Sequence, residues 1–187
     1  MKYLIAGLGN IGAGYANTRH NVGFVVADAL VSALKGTWKV ERLASVSRVK
    51  FKGRELVVIK PTTYMNLSGR AVKYWMDQEK IPLERLLVIV DDIALAPGVL
   101  RMKAQGGDAG HNGLTDIIIK LGTDRFPRLR IGIGNDFPRG YQSEYVLGEW
   151  SRQETEMMIP RIGVAVEMVQ SFATIGIHLT MTEFNNK

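Results

Sequence analysis

The stretch Leu86–Val90 constrains this chain most: five consecutive apolar residues, LLVIV, followed at once by Asp91-Asp92. An unbroken apolar run of that length fits a strand at the centre of a sheet, covered on both faces. Strand and helix patterns alternate around it. Tyr3–Leu8 reads as a buried strand, and the glycine- and asparagine-rich stretch after it as a loop running to His20. Val22–Leu34 carries apolar residues at helical spacing (Val22, Val25, Val26, Ala29, Leu30), with Asn21 placed to cap it. Residues 38–60 hold two or three strands, with Pro61 stopping the ladder. Ser68 can cap a helix through about Met76, residues 99–103 suggest a strand, and Leu114–Leu121 a helix. Leu129–Ile133 suggests another strand, and Ser151 with Glu154 forms a capping box for a helix to about Ile175. The alternation predicts one α/β domain over residues 1–187. Its sheet is mixed and mainly parallel, covered by helices on both faces, with antiparallel pairs around residues 38–60.

Composition narrows the chemistry. The chain has no cysteine, which removes disulfides, cysteine nucleophiles, iron–sulfur clusters and cysteine zinc sites together. Three histidines, His20, His111 and His178, leave little material for a metal site. The apolar runs look too short and interrupted for the ~18 residues of a membrane span, and MKYLIAGLGN enters strand-like sequence without a small-residue cleavage site. A soluble, cytoplasmic protein is expected. Lys and Arg number 24 against 18 Asp and Glu, a net charge of +6. Residues 151–187 hold three basic and four acidic residues, so the excess lies in residues 1–150. A basic body suits a polyanion, nucleic acid first, although solubility alone would also account for it.

Several motifs carry candidate chemistry. Gly7-Leu8-Gly9-Asn10-Ile11-Gly12 follows a strand and matches the dinucleotide fingerprint G-x-G-x-x-G. That fingerprint needs the glycines to open a helix, whereas Gly14, Asn17 and Thr18 make a poor one and no acidic residue ends a following strand. The loop is richer than a glycine turn requires: Asn10, Tyr15, Asn17, Thr18, Arg19, His20 and Asn21 crowd polar groups beyond a strand's carboxyl end, where α/β sheets bind ligands. A histidine there is either structural or a general base. Asp91-Asp92 at another carboxyl end is either a solvated turn or an orienting carboxylate. Gly106–Gly113 is a glycine-rich loop feeding a helix, without the lysine–serine ending of a P-loop. No G-x-S-x-G elbow is present.

Taken in order, Gly7-Leu8-Gly9-Asn10-x-Gly12, Tyr15-x-x-Thr18-Arg19-His20-Asn21-x-Gly23, Pro61-x-x-Tyr64-Met65-Asn66-x-Ser68-Gly69, Asp91-Asp92, Gly110-His111-Asn112-Gly113-Leu114 and Arg128–Gly134 resemble the bacterial peptidyl-tRNA hydrolase family nearly end to end. The resemblance implies a single-domain enzyme of translation that hydrolyses the ester joining a peptide to the 3′ ribose of tRNA, after translation has stalled or aborted. It places the general base on His20 and its orienting carboxylate on Asp91, and gives Asn10 the discrimination of peptidyl-tRNA from free-amino aminoacyl-tRNA. It puts substrate contacts at Tyr15, Tyr64, Asn66 and Asn112, with Met65 and His111 beside them. Lys103, Arg130 and Arg139 fall where the family meets tRNA phosphates. It implies no metal or organic cofactor, no membrane, no obligate protein partner, and a monomer acting on the acceptor arm and 3′ end of peptidyl-tRNA. Three departures stand out: Ile11 for a proline, Ala94 for an acidic residue and Ala109 for a glycine. Two rivals remain: a catalytically silent RNA-binding relative of the same scaffold, and a dinucleotide-binding oxidoreductase.

Overall fold

The LLVIV run forms the first five residues of β5 (Leu86–Asp92), every residue of which is buried. The structure, a computed structural model, describes residues 1–187. In chain order the elements are β1 (Lys2–Gly7), α1 (Val22–Ala33), β2 (Lys39–Glu41), β3 (Ala44–Phe51), β4 (Arg54–Pro61), α2 (Ser68–Glu79), β5, β6 (Leu100–Lys103), α3 (Asn112–Leu121), β7 (Arg128–Gly132), α4 (Gln142–Val146) and α5 (Arg152–Phe184). The strands form one seven-stranded sheet in the order β2-β3-β4-β1-β5-β7-β6. β4, β1, β5 and β7 run parallel at its centre, flanked by antiparallel pairs β2–β3 and β3–β4 on one side and β6–β7 on the other.

Strand alternation explains why β5 needs no polar residue before its end. Leu87 and Ile89 join a core containing α1 and α5 residues such as Leu30 and Phe172, while Leu86, Val88 and Val90 join one with Val72 and Trp75 of α2 and Ile117 of α3. The sheet is therefore covered on both faces, and burying each large apolar side chain stabilises it by about 1.5–3 kcal/mol. The fingerprint glycines serve packing: a Cβ on Gly7 would lie 2.3 Å from the Gly23 carbonyl oxygen, and one on Gly23 would lie 2.6 Å from Leu8 and Ile89 backbone atoms. Side-chain volume there would push α1 off the sheet.

Pro61 ends the ladder as expected, as the last residue of β4 and paired with Ala44. Other local expectations need correction. Asn21 stands at the N-cap position of α1 but makes no capping bond; its amide is used elsewhere, as described below. Ser68 is the first residue of α2 and donates to the Met65 carbonyl instead. The helix expected to end near Ile175 continues to Phe184, because Gly176 (φ 87°, ψ 174°) interrupts the backbone and a further helical segment follows. By length and composition α5 could cross a membrane, against the expectation that no segment could. Here its Ala165, Met168, Val169, Phe172 and Ala173 are buried in the core. Just beyond it, Asn185 accepts a bond from the Met102 N–H and donates to the Met102 carbonyl, sealing the edge strand β6.

Candidate active site

Two loops leave the carboxyl ends of the adjacent parallel strands β1 and β5, where α/β sheets place ligands. Past β1 the chain makes two short 3-10 turns, Ala13–Tyr15 and Arg19–Asn21, before α1 begins. No helix opens on the glycines, so the geometry of a dinucleotide site is not built. The loop is closed on itself by Asn21, which accepts from the Asn10 N–H at 2.8 Å and donates to the Asn10 carbonyl at 2.9 Å.

At the end of β5, Asp91 binds two histidines. Its Oδ2 accepts from His20 Nδ1 at 2.8 Å and its Oδ1 from His111 Nε2 at 2.9 Å. The tautomers follow from the partners. His111 is the N-cap of α3, and its Nδ1 accepts the Gly113 and Leu114 N–H groups, so the proton sits on Nε2. His20 donates from Nδ1, which leaves Nε2 as its acceptor nitrogen. Asp91 is buried, and burial alone would push its carboxyl upward; the electrostatic attraction of the His111 ring and the hydrogen bonds from both rings outweigh this and hold it well below the usual carboxylate range. His20, Asp91 and His111 offer ligand atoms within 4.8 Å of one another, a metal-like grouping. The atoms they turn toward one another are already paired as hydrogen-bond donors and acceptors, and His111 Nδ1 is taken by α3, which leaves His20 Nε2 as the free nitrogen of the group.

Asn10 Oδ1 accepts from the Met65 N–H at 2.6 Å. A backbone N–H can only donate, so the amide orientation is fixed and Nδ2 is left free to donate. Tyr15 and Tyr64 meet edge to face at 6.4 Å between centroids. Met65 is buried, while Tyr64, Asn66 and Asn112 are exposed. The Met65–Leu67 turn and the start of α2 are held to α3 by close contacts: Gly69 N–H donates to Asp116 Oδ2 at 2.8 Å, and a Cβ on Gly113 would lie 2.8 Å from Met65 Sδ.

A cleft of about 330 Å³ joins His20, Asp91, His111 and Asn112 to Lys103, Arg128 and Arg130. On the paired strands β6 and β7, Arg101 lies opposite Arg130 and Lys103 opposite Arg128. Like charges placed opposite each other are unfavourable unless something anionic offsets them. Arg128 is buried and gives its guanidinium to the Gly107, Asp124 and Phe126 carbonyls. Arg130 keeps one ion pair, with Asp92 at 3.2 Å. Arg139 is exposed and lies outside the walls of this cleft. Sequence reasoning gave no separate role to Arg128, which turns its guanidinium onto carbonyls of its own loop and of Gly107, or to Asp92, whose partner Arg130 lies 38 residues on. Arg19 stood within a quoted motif, but nothing local shows that it reaches Glu154.

The fold and site together define an α/β protein with a histidine–carboxylate pair of the kind that hydrolases use to activate water. The peptidyl-tRNA hydrolase family matches residues 4–187. Proteins named peptidyl-tRNA hydrolase from Phocaeicola vulgatus and Parabacteroides distasonis are 52% and 51% identical over 187 residues, covering all of both chains in each comparison. A crystal structure of peptidyl-tRNA hydrolase from Acinetobacter baumannii superposes with a TM-score of 0.92 at 36% identity, covering 98% of this chain and 94% of that one. This chain belongs to the peptidyl-tRNA hydrolase family.

Proposed function

We propose that this chain hydrolyses the ester between a peptide and the 3′ ribose of tRNA in the cytoplasm, acting as a monomer, with His20 as general base. The observation that carries the reading is the 2.8 Å contact from His20 Nδ1 to Asp91, which leaves Nε2 as the acceptor of a ring lining the cleft. Nε2 takes a proton from water as that water attacks the ester carbonyl, and Asp91 stabilises the imidazolium that forms; as the tetrahedral intermediate collapses, the bond to the 3′ ribose oxygen breaks and the imidazolium returns the proton to that leaving oxygen. His111 has its Nδ1 lone pair committed to α3 and donates its Nε2 proton to Asp91, so its part is to hold the carboxylate.

Asn10 Nδ2 and the exposed Asn66 and Asn112 amides supply neutral hydrogen-bonding groups for an acylated substrate end, with Tyr15, Tyr64 and Met65 as its apolar walls. A site of neutral amides penalises a free ammonium, which would leave water without a matched partner. Lys103 and Arg130 meet the acceptor-arm phosphates, and Arg139 makes a more peripheral contact. The experiment is release of N-acyl-amino acid from N-acyl-aminoacyl-tRNA. His20→Ala is expected to lower kcat by roughly 10²–10⁴-fold and His111→Ala by less. Near-normal turnover of His20→Ala would overturn the assignment.

A further inference from the structure

Three consecutive residues of the Arg19–Asn21 turn attach to three different parts of the molecule. A 3-10 helix has three residues per turn, so successive side chains point about 120° apart. Asn21 goes to the Asn10 backbone and His20 to Asp91 of β5. Arg19 goes the third way, to α4 and the first turn of α5. Its Nη2 and Nε reach Glu154 Oε1 and Oε2 at 2.8 and 3.3 Å, and its Nη1 donates to the Tyr145 carbonyl at 3.0 Å. The guanidinium carbon lies 4.2 Å from the centroid of the Tyr145 ring. The backbone repeats the attachment: Arg19 N–H donates to the Gly148 carbonyl, Thr18 bridges Glu149, and Trp150 N–H donates to the Asn17 carbonyl.

Glu154 itself is fixed. It completes the capping box of α5, accepting from the Ser151 N–H at 3.0 Å. Burial pushes its carboxyl upward, but the Arg19 and Ser151 hydrogen bonds outweigh this and keep it below its usual value. Tyr145 is tied to the sheet by its hydroxyl, which donates to the Ile133 carbonyl beyond β7 at 2.6 Å. The base-bearing turn, only three residues long, is therefore braced against a rigid helix end on the side away from Asp91.

We infer that Arg19 is a positioning residue for the reaction, setting the place of the His20 ring through its planar two-point contact with Glu154. This rests on the reading of His20 as the base. Lysine keeps the charge but offers neither the fork nor the stacking on Tyr145, so it does not replace arginine here. A displacement of the order of 1 Å at a reacting group costs about 10²-fold in rate.

The test uses the full chain and N-acyl-aminoacyl-tRNA, comparing kcat, KM and Tm of wild type, Arg19→Lys, Glu154→Gln and the double variant. Glu156→Gln, which breaks an exposed pair with Arg152, is the control. Arg19→Lys is expected to lower kcat by about tenfold to 10²-fold with KM within about twofold. Glu154→Gln should move kcat the same way and less, since its amide retains one acceptor. The double variant should be no slower than Arg19→Lys alone, because both changes cut one contact. Wild-type kcat in Arg19→Lys, a KM rise matching the loss in rate, or losses that multiply in the double variant would each overturn the inference. Should Arg19→Lys fail to fold, the kcat–KM split of Glu154→Gln decides alone. Turnover by His20→Ala would instead remove the underlying site reading, and Arg19→Lys at full rate beside a dead His20→Ala would remove only this proposal.

Discussion

At the scale of single residues, the site depends on which atom faces which. Asn10 shows this best, since the Met65 N–H consumes its oxygen and leaves its nitrogen free to donate, in our proposal to the substrate. Asn10→Asp keeps an acceptor for Met65 and exchanges the outward donor for an oxygen. Activity on N-acylated substrate should fall roughly 10²-fold, as for loss of one positioned donor, and preference over the free-amino substrate should shrink. Equal preference in variant and wild type, measured side by side, would move the selection to Asn66 or Asn112. Asp91 makes a second prediction, about stability. Its carboxyl is depressed in the fold from an ordinary value of 3.8, so on acidification the unfolded chain takes up the proton first. Its stabilisation is thus complete above about pH 4 and fades as the pH falls toward the depressed value. Thermal melts of wild type and Asp91→Asn should differ most near neutrality and converge in acid; a gap independent of pH would contradict this linkage.

At the scale of elements, much was legible because periodicity reports burial. The β5 run, the α1 spacing and the Ser151–Glu154 box each appear in the structure near their expected places. What could not be read depended on which partner a side chain finds in three dimensions. Asn21 and Ser68 occupy positions that look like caps, yet the start of the same loop and a carbonyl one turn back claim their side chains. A five-residue helix such as α4 is too short for its periodicity to stand out. Gly176 ends a helical pattern by its backbone preference, and only packing decides that another segment follows. In the site, the His20 and Asp91 loops were visible from strand ends, but the sharing of one carboxylate by two histidines was not. The α2–α3 junction gives a test at this scale. A Cβ on Gly69 would lie 2.4 Å from the Asp116 carbonyl oxygen. Gly69→Ala should therefore cost about 1–3 kcal/mol by overpacking, read from urea midpoints. An unchanged midpoint would mean the two helices can separate without loss.

At the scale of the whole molecule, the excess positive charge of residues 1–150 is partly gathered at one edge of the sheet, on β6 and β7. If Lys103, Arg130 and Arg139 each meet a phosphate, binding of intact peptidyl-tRNA should weaken with salt at a log–log slope near −2 to −3, using roughly −0.7 to −0.9 per contact. Removing Lys103 or Arg130 should flatten that slope by nearly one, with Arg139, outside the cleft, changing it less. Turnover of a minimal acylated nucleoside should stay the same. Salt-insensitive binding would show that the charge serves solubility alone.

That same edge carries one more consequence. An outermost strand with free backbone groups is a template on which another chain can zip. Asn185, third from the end, lays its amide across β6 in the manner of a missing neighbour and satisfies both polar groups of Met102. The tail is thus a finishing strip for the sheet. An affinity tag fused directly after Lys187 begins two residues from this strip, whereas one fused ahead of Met1 leaves the strip alone. Preparations that stay monodisperse with the first tag and clump with the second would be hard to reconcile with it.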